Sequence, residues 1–475
     1  MKGYGEYKNT EYDWLPMVPA HWKHITIRSL MQLSDTRCKN RSDLELLSVY
    51  REYGVIKKNS REDNHNKASL DISNYKYVGK NFVVMNKMKM WQGSLGISAF
   101  EGIVSPAYIV CTIRKDLNFR YLNFLLRSHL FKTFYNRISY GIRVGQWDLR
   151  YDNLKTLNLF LPPREEQDQI VRYLDAKAGK INKLIKIKQQ QIALLKEKKQ
   201  AIINQAVTKG LDPNAPMKDS GIAWIGQIPQ GWEVERLKFL MDKIVDCPHE
   251  TPHYSADGTY FVIRTADQDC GFLRDTEKMY RLNSQEYQHR IRREPLLKDD
   301  IVYGREGERW GLACLVPENN IFCLGQRMMQ FRCNNKKILP KFAIWMLNAQ
   351  YIYHQGTIDT MGSTSPHVNI ETIKNYYCIF PCKSEQKYIS KYITAISEYT
   401  ESLIKNVVNE IAALTEYRTR LISDVVTGKI DVRGIPVTKE SNKDQENATG
   451  VHQWLVQNGE GVYPVDEYDE NEQSE

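Results

Sequence analysis

In two short stretches, residue types that commonly bind nucleic acid lie next to a glycine. The stretches are Arg143–Val144–Gly145–Gln146 and Arg305–Glu306–Gly307. Arginine and glutamine carry paired hydrogen-bonding groups that fit base edges, and arginine also binds phosphate. A neighbouring glycine has no side chain and lets the backbone approach a ligand closely. These stretches predict contact with a nucleic acid, and the alternative is an ordinary solvated or structural role for each residue.

The sequence lacks the common catalytic motifs. It contains no G-x-x-x-x-G-K-[ST] phosphate loop and no nucleophile elbow. It also lacks an Asn/Asp-Pro-Pro-aromatic tetrapeptide that would hold adenine for methylation, because the proline pair of LPPR follows Leu161. We therefore expect this chain alone to catalyse nothing and to hold no cofactor and no metal.

Charge is distributed unevenly along the 475 residues. The net charge is +9, but residues 440–475 contain ten acids and one base, Lys443. The rest of the chain therefore carries a net charge of +18, which favours a polyanionic partner. The acidic segment is typical of disorder. We expect it either to aid solubility or to shield the basic surface from nonspecific nucleic acid.

Cysteine usage and hydropathy indicate the cellular compartment. The nine cysteines are scattered without a CxxC pair, which fits a reducing cytosol and argues against disulfides. The first residues, MKGYGEYKNTEYDW, contain no apolar run, so no signal peptide is expected. No segment approaches the roughly 18 apolar residues of a membrane span. These features predict a cytoplasmic protein with no membrane partner.

The chain contains an internal repeat. At an offset of 210, Trp14, Pro19, Trp22 and Leu30 meet Trp224, Pro229, Trp232 and Leu240. At an offset of 219, Pro162, Glu166–Gln167, Tyr173 and Val207–Thr208 meet Pro381, Glu385–Gln386, Tyr392 and Val426–Thr427. Each half therefore has a tryptophan-proline opening motif, a variable segment and a long polar segment. The two variable segments share this frame but show little similarity to each other.

The long segments have the pattern of helices. Residues 164–207 contain no proline and one glycine, Gly179, and residues 383–427 show the same apolar spacings of three, four and seven. Neither narrow apolar stripe would be buried alone, so we expect the two helices to pack against each other in an antiparallel coiled coil. Between Arg164 and Lys209 the first helix has eleven Lys or Arg against five Asp or Glu. A solvated face explains this excess, and contact with DNA or a partner subunit is the alternative.

The variable segments are predicted to be mixed α/β domains. Asn81–Ile113 has short β-branched runs broken by glycines, which indicates strands and tight turns, and Tyr121–Ile138 has a helical pattern. In the second half, Asp300–Cys333 favours strands and Leu339–Gln355 a helix. The expected fold class is mixed α+β: two globular domains joined by two long antiparallel helices, with a pseudo-two-fold repeat.

The ordered set of motifs resembles the specificity subunit of a type I restriction-modification enzyme, the family often called HsdS. The resemblance covers about residues 10–435, and W-[LI]-x-x-[VI]-P-x-x-W opens both halves. Gly102–Val110 and Cys323–Arg332 are similar to phrases typical of the family's target recognition domains. The family's proline pair is present at Pro162, but Cys382 replaces one proline in the second half. The acidic tail lies outside the shared pattern.

The resemblance implies five segments. Residues 1–161 would form target recognition domain 1 with the opening motif, and residues 162–212 would form the first spacer helix. Residues 213–380 would form target recognition domain 2, and residues 381–432 the second spacer helix. Residues 433–475 would be the acidic, disordered tail.

The resemblance also implies a non-catalytic, DNA-binding subunit of a restriction system that defends against foreign DNA. Each domain would read one half of a bipartite, asymmetric site in double-stranded DNA. Two methyltransferase subunits would dock on the helices and transfer a methyl group from S-adenosylmethionine to adenine N6. Restriction subunits would add ATP-dependent translocation and cleavage. S-adenosylmethionine, ATP and Mg would therefore bind to partner chains and not to this one.

Basic and amide side chains in the two target recognition domains are the candidates for DNA contact. They are Lys57, Lys58, Arg61, Lys87, Lys89, Arg143 and Gln146 in the first, and Arg305, Arg309, Gln326 and Arg327 in the second. The repeated tryptophans Trp14, Trp22, Trp224 and Trp232 are predicted to be packing anchors instead of base-stacking platforms. Two alternatives stay open from the residues: a coiled-coil scaffold without DNA reading, and a restriction-methylation enzyme complete in one chain.

Overall fold

The computed structural model describes residues 2–38, 44–51, 53–60, 72–114, 116–141, 147–360 and 366–437. The chain forms two compact units. Unit 1 consists of Met1–Lys188 and Asn409–Glu475, and unit 2 consists of Gln189–Val408. Unit 1 is therefore discontinuous in sequence and contains both ends of the chain.

The strands of unit 1 are β1 (Tyr7–Asn9), β2 (Met17–Pro19), β3 (Lys23–Thr26), β4 (Met31–Leu33), β5 (Leu47–Tyr50), β6 (Gly54–Lys57), β7 (Lys76–Val78), β8 (Val83–Asn86), β9 (Leu95–Ile97), β10 (Gly102–Val104), β11 (Tyr108–Ile113) and β12 (Asn158–Leu161). Its helices are α1 (Ile27–Leu30), α2 (Phe119–Leu126), α3 (His129–Ile138), α4 (Tyr151–Leu154) and the first part of α5 (Arg164–Lys209). Short 3-10 helices span Lys58–Ser60 and Lys87–Gln92.

The strands of unit 2 are β13 (Met217–Asp219), β14 (Gln227–Pro229), β15 (Glu233–Arg236), β16 (Met241–Asp246), β17 (Tyr260–Ile263), β18 (Arg281–Leu282), β19 (Ile301–Gly304), β20 (Ala313–Leu315), β21 (Phe322–Leu324), β22 (Met328–Cys333) and β23 (Tyr377–Phe380). Its helices are α6 (Ser284–Arg290), α7 (Pro340–Leu347), α8 (Gln350–Thr360), α9 (Ile370–Lys374) and the first part of α10 (Lys383–Val426). Short 3-10 helices span Leu237–Phe239, Thr265–Asp267 and Thr276–Lys278.

Each unit is built on a four-stranded antiparallel sheet with the same strand order. The order is β4-β11-β8-β9 in unit 1 and β16-β22-β19-β20 in unit 2. In each unit the strand before the long helix also pairs with the strand after the opening motif, β12 with β3 and β23 with β15. The strands around this frame differ, because β5 and β6 form an antiparallel hairpin while β17 pairs with β21 in parallel. The predicted mixed α/β fold is confirmed.

Buried residues of the repeated motifs join the opening motif to the start of each long helix. Trp22 and Trp232 are each 1% exposed. The indole Nε1 of Trp22 donates to Glu166 Oε1 at 3.0 Å, and that of Trp232 donates to Glu385 Oε1 at 3.1 Å. These two tryptophans are packing anchors, as predicted, and their repeated partner is a glutamate in the first turn of a long helix.

The glutamine that follows each of these glutamates makes a second repeated contact. Gln167 Nε2 donates to the carbonyl of Pro162, and its Oε1 accepts from the Asn118 N–H before α2. Gln386 makes the same pair of bonds with the Pro381 carbonyl and the Leu339 N–H before α7. Both glutamines are buried, so these bonds satisfy backbone groups that would otherwise lack partners.

The other two repeated tryptophans do not behave alike. The Trp14 ring lies 5.4 Å from Phe131 and 5.2 Å from Phe134, centroid to centroid, and packs against the core of unit 1. Trp224 is 52% exposed. The prediction of a packing anchor is therefore wrong for Trp224. The third and sixth residues of α3 are Phe131 and Phe134, whereas those of α8 are Ile352 and Gln355, so unit 2 lacks the aromatic partners.

Both long helices are confirmed, with α5 ending two residues beyond the predicted 164–207 and α10 one residue short of the predicted 383–427. In unit 1 they run antiparallel, since Arg418 donates to Asn182 and Lys188 pairs with Glu410 at 2.6 Å. In unit 2 Lys199 pairs with Glu401 at 2.5 Å. The seam positions Ile181, Ile192, Val407 and Leu421 are buried, as the spacing predicted. None of the helices in the described ranges has the length and apolar character of a membrane span.

The predicted helix in each variable segment is divided in two. In unit 1 the division falls at Arg127 and Ser128, between α2 and α3. In unit 2 it falls at Asn348, whose side-chain amide hydrogen-bonds both the N–H and the carbonyl of Ala313 in β20. An asparagine that binds a neighbouring strand in this way competes with continuation of the helix.

The N-terminal residues of unit 1 contact the residues that follow α10. The N–H of Asp431 donates to the carbonyl of Lys2 at 3.0 Å, and the Tyr7 hydroxyl donates to the carbonyl of Gly428 at 3.0 Å. Gly428 has φ of +80°, and a Cβ there would lie 2.4 Å from Pro19 Cδ. The close approach therefore requires glycine. Ile435 and Val437, within the described part of the predicted tail, pack against the core of unit 1.

Candidate nucleic-acid interface

The loop after the third strand of each four-stranded sheet lies at the same place in both units. It begins at Lys87 after β8 and at Arg305 after β19. The N–H of Leu149 donates to the carbonyl of Lys87 at 3.1 Å, and the N–H of Val368 donates to the carbonyl of Arg305 at 3.0 Å. In both units this bond ties the loop to the segment before a short helix, so the frame positions two equivalent surface loops.

In unit 2 the loop is held by a buried guanidinium group. Arg305 is 3% exposed, and its Nε donates to Asp246 Oδ1 at 3.0 Å. Its Nη2 lies 2.9 Å from Glu306 Oε1 and 3.2 Å from His249 Nε2. Its Nη1 lies 3.1 Å from His367 Nε2. Two carboxylates and two imidazoles thus surround one cation, which is the condition under which a buried charge is tolerated.

Arg305 joins three separate parts of unit 2. Asp246 ends β16 and His249 follows it, Arg305 and Glu306 follow β19, and His367 precedes α9. The side chains of His249 and His367 are 54% and 50% exposed, so they form the outer part of the network. The arrangement presents two imidazoles at the surface in positions fixed by a buried arginine.

Three donor groups of this network lie close enough to hold a metal ion. Atoms of Asp246, Cys247 and His249 lie within 4.8 Å of one another. However, Arg305 already occupies the carboxylate of Asp246 and the imidazole of His249. Burial also raises the pKa of the Cys247 thiol, which disfavours the thiolate that a metal binds. The geometry suits a guanidinium better than a metal ion.

The other candidates in unit 2 differ in accessibility. Gln326 and Arg327 are exposed in the turn between β21 and β22. The Thr251 hydroxyl donates to Gln326 Oε1 at 3.3 Å, and the Arg327 carbonyl accepts from the Arg305 N–H at 3.1 Å. These residues therefore adjoin the Arg305 network. Arg309 is half-buried and donates to the Gln268 carbonyl at 2.7 Å. Burial and the nearby Arg274 lower the pKa of Arg309.

The candidates in unit 1 lie in two places. Lys87 pairs with Asp148 at 3.2 Å, and Lys89 is exposed on the same 3-10 helix. Lys57 ends β6 and pairs with Glu45 at 2.7 Å, and Lys58 opens the next 3-10 helix. All four side chains are at least partly accessible. Three further candidates lie outside the described residues, namely Arg61, Arg143 and Gln146. DNA contact by any candidate stays a prediction.

Sequence reasoning did not find Asp246, His249 or His367. The signal was weak, because Asp246 and His249 lie about sixty residues before Arg305, and His367 lies as far after it. One available indication was a histidine three residues after an aspartate at the end of a strand. Another was the overlooked stretch His249–Glu250–Thr251–Pro252–His253, which has the H-E-x-x-H spacing but contains a proline and lies between β16 and β17 instead of on a helix.

Comparison with known proteins agrees with this duplicated frame. A family model described as the type I restriction modification DNA specificity domain matches residues 19–196 and 229–413, once in each half and over more than half of the chain. The chain belongs to this family. The prediction of a type I specificity subunit, a DNA-recognition component and not a catalytic chain, is confirmed, and neither alternative is favoured.

Relatives of this subunit include two proteins of Methanocaldococcus jannaschii. The type I restriction enzyme MjaVIII specificity subunit is 24% identical over 358 residues, covering 73% of this chain and 79% of that protein. The putative type I restriction enzyme MjaX specificity subunit is 25% identical over 323 residues, covering 66% and 68%. A structure solved to explain complex assembly and conformational transition of the type I R-M system has a TM-score of 0.59 at 14% identity, covering 87% of this chain and 99% of that one. It supports the fold.

Proposed function

We propose that the two units read the two halves of a bipartite, asymmetric site in double-stranded DNA. The observation that carries this proposal is the repeated sheet order with different surface loops. A scaffold needs only the frame, whereas two different half-sequences need two different contact surfaces on one frame. The subunit would thereby direct adenine-N6 methylation and ATP-dependent cleavage to one sequence.

The loops beside β8 and β19 are the proposed contact surfaces. In unit 2, Gln326 and Arg327 would contact base edges beside the imidazoles of His249 and His367, because these groups are exposed and have the donors and acceptors that bases offer. In unit 1, Lys87, Lys89, Lys57 and Lys58 would contact phosphates, which positions the duplex without specifying its sequence.

The partners would be two methyltransferase subunits and the restriction subunits. Exposed apolar side chains on the long helices support docking of partner helices. They are Leu184, Ile187 and Tyr417 in unit 1 and Leu194, Tyr388, Tyr392 and Tyr399 in unit 2. Apolar residues exposed in a row along a helix mark protein interaction surfaces more often than isolated ones do. S-adenosylmethionine, ATP and Mg would bind to those partners.

Exchange of one reader tests the proposal. Residues 34–157 are replaced by the matching segment of a relative, and the complex with its methyltransferase partner is assayed by methylome sequencing. We expect one half of the methylated sequence to change while the other half is retained. The reciprocal exchange in unit 2 is the control and should change the other half. A change of both halves together, or methyl transfer by the purified chain alone, would refute the assignment.

A further inference from the structure

One face of α5 in unit 1 is exposed beyond the point where the residues after α10 contact it. With Gln169 taken as the reference, Lys180, Lys183, Leu184 and Ile187 all lie within about 60° of it on a helix of 3.6 residues per turn. Leu184 is 40% exposed and Ile187 is 49% exposed. The buried seam residue Ile181 lies about a third of a turn away. This face, from Arg172 to Ile187, is named the basic-apolar face.

The basic-apolar face carries positive charge without local compensation. Arg172, Lys180 and Lys183 are exposed. Asp175 is the only carboxylate between residues 172 and 187, and it pairs with Arg120 at 2.6 Å. Within the part of the chain that the structure describes, no carboxylate lies at ion-pair distance from Lys180 or Lys183. The face therefore combines cations with exposed aliphatic groups, and it suits a segment that is acidic and partly apolar.

The described chain ends beside the start of this face. Gln169 Nε2 donates to the carbonyls of Val432 and Ile435 at 3.1 and 2.8 Å. The Oε1 of the same side chain accepts from the guanidinium of Arg172. Gln169 thus connects the last described residues with the first cation of the basic-apolar face.

Residues 438–475 continue from that point and have the complementary composition. Residues 440–475 contain ten acids against Lys443, and they include the apolar run Trp454–Leu455–Val456. The basic-apolar face, from Arg172 to Ile187, is about 22 Å long. Residues 438–475, fully extended, span on the order of 100 Å, so this segment can reach the whole face. Because the segment is tethered at one end, its effective concentration at the face is of millimolar order.

We propose that residues 438–475 dock on the basic-apolar face of α5 and cover it. The acids pair with Lys180 and Lys183, and the apolar run lies on Leu184 and Ile187. The contact is reversible and salt-sensitive, since exposed ion pairs are individually weak and screened. A nucleic acid phosphate or a partner helix that uses this face must displace the segment. This inference does not depend on how the two units read DNA.

Carbodiimide cross-linking of the full-length chain tests the proposal. The reagent joins lysine to carboxylate only at direct contact, and mass spectrometry identifies the pairs. We expect cross-links from Lys180 and Lys183 to the acids of residues 460–475, reduced at least fivefold in 0.5 M NaCl. The exposed Lys196 and Lys198, further along the same helix, are the control and should give few.

Three full-length variants make the result decisive. The charge reversal Lys180→Glu/Lys183→Glu should increase acylation of Lys177 at least twofold by releasing the segment, whereas Lys196→Glu/Lys198→Glu should leave it unchanged. Replacing Asp466, Glu467, Asp469 and Glu470 by the corresponding amides should have the same effect as the first reversal. Cross-links spread equally over all exposed lysines would overturn the proposal. Cross-links found only between differently isotope-labelled chains would overturn it too, since a second copy would then be the occupant.

Discussion

The two units have the same frame but hold their equivalent loops in different ways. In unit 1 the loop after β8 is held by Lys87 and Asp148, an ion pair whose side chains are 41% and 24% exposed. In unit 2 the equivalent loop is held by Arg305, which is buried among Asp246, Glu306, His249 and His367. The backbone hydrogen bond at each place is conserved between the units, whereas the side chains around it are unrelated.

This difference shows how a duplicated frame accommodates two surfaces. Backbone bonds and the tryptophan-glutamate contacts do not depend on which loop residues are present, so they survive replacement of the loop. A buried charge network depends on every member, because a single lost partner leaves another charge uncompensated. We therefore expect the surface of unit 2 to change only by replacement of the whole network and the surface of unit 1 to tolerate single substitutions.

The largest expected effect is on Arg305. Arg305→Met leaves Asp246 and Glu306 without their cation, and we expect a loss of about 3–5 kcal/mol in the stability of unit 2. The matched change Lys87→Met removes an exposed pair and should alter unit 1 by less than about 1 kcal/mol. Hydrogen exchange in denaturant, detected by mass spectrometry, measures the stability of each unit separately through peptides that contain β19 or β8. Equal losses in the two units would contradict the comparison.

The next largest difference in stability is expected between substitutions of the repeated tryptophans Trp14 and Trp224. Trp14→Ala removes ring contacts with Phe131 and Phe134, and we expect unit 1 to lose about 2 kcal/mol, below the cost at a fully buried site. Trp224→Ala should change unit 2 by no more than about 0.5 kcal/mol because the side chain is exposed. Urea unfolding of both variants gives the two values. A larger effect at Trp224 would mean that a partner covers it in solution.

A smaller difference is expected between the two repeated glutamates. Glu166 is hydrogen-bonded to Tyr4 at 2.6 Å, Trp22 at 3.0 Å and His21 at 2.7 Å, whereas Glu385 has Trp232. Hydrogen bonds to a carboxylate are worth more than neutral ones. We therefore expect Glu166→Gln, at a buried side chain with three partners, to lose about 2 kcal/mol and Glu385→Gln, at a half-buried side chain, about 1 kcal/mol. Thermal unfolding of the two variants, with Tyr4→Phe as an intermediate control, tests the ranking.

The smallest effect concerns the residue that follows Pro162 before α5 and the residue that follows Pro381 before α10. These residues are Pro163 in the first half and Cys382 in the second. Cys382 is exposed and the other eight cysteines are buried. Hydrogen bonds from the Ser384 hydroxyl and the Glu385 N–H lower the pKa of the Cys382 thiol. We expect one thiol of the native chain to react with iodoacetamide, with a reaction midpoint at lower pH than that of a free cysteine.

Replacement by proline is the control for this labelling. Cys382→Pro restores the motif of the first half and should abolish labelling of the native chain while leaving its unfolding transition in place. Labelling of two or more cysteines under native conditions would mean that a buried thiol becomes accessible. A midpoint at or above that of free cysteine would contradict the hydrogen-bonded thiolate.

The frame could be predicted from the sequence because its signals are periodic or repeated. The long helices extend over many turns with a regular apolar stripe, and Trp22 and Trp232 each lie at a fixed distance from a proline. Such signals are local, and they add up along the segment. The repeated glutamates were also visible as part of the matching Glu-Gln pairs.

The contacts at the candidate interface could not be predicted in the same way. Arg305 was visible as a basic residue beside a glycine, but burial among partners from three distant segments has no local signature. The exposure of Trp224 depends on Ile352 and Gln355, which occupy the places of Phe131 and Phe134 in a helix far along the chain. Residues matched by a repeat are thus equivalent in position, and their environment depends on what the rest of each unit supplies.

The contact between the N-terminal residues and the residues that follow α10 has a consequence for synthesis on the ribosome. Unit 2 is complete once Val408 has left the exit tunnel, but unit 1 needs residues that follow it, including Gly428 and Asp431. At about 5–20 residues per second, the roughly 240 residues after Lys188 take on the order of 10–50 s to translate. During that time the core of unit 1 lacks Leu421, Val425, Val426 and Val432, which belong to its cluster of buried residues. The first domain to be translated is therefore the last to finish folding, and premature termination should yield a chain whose N-terminal part needs chaperones while its central part is native.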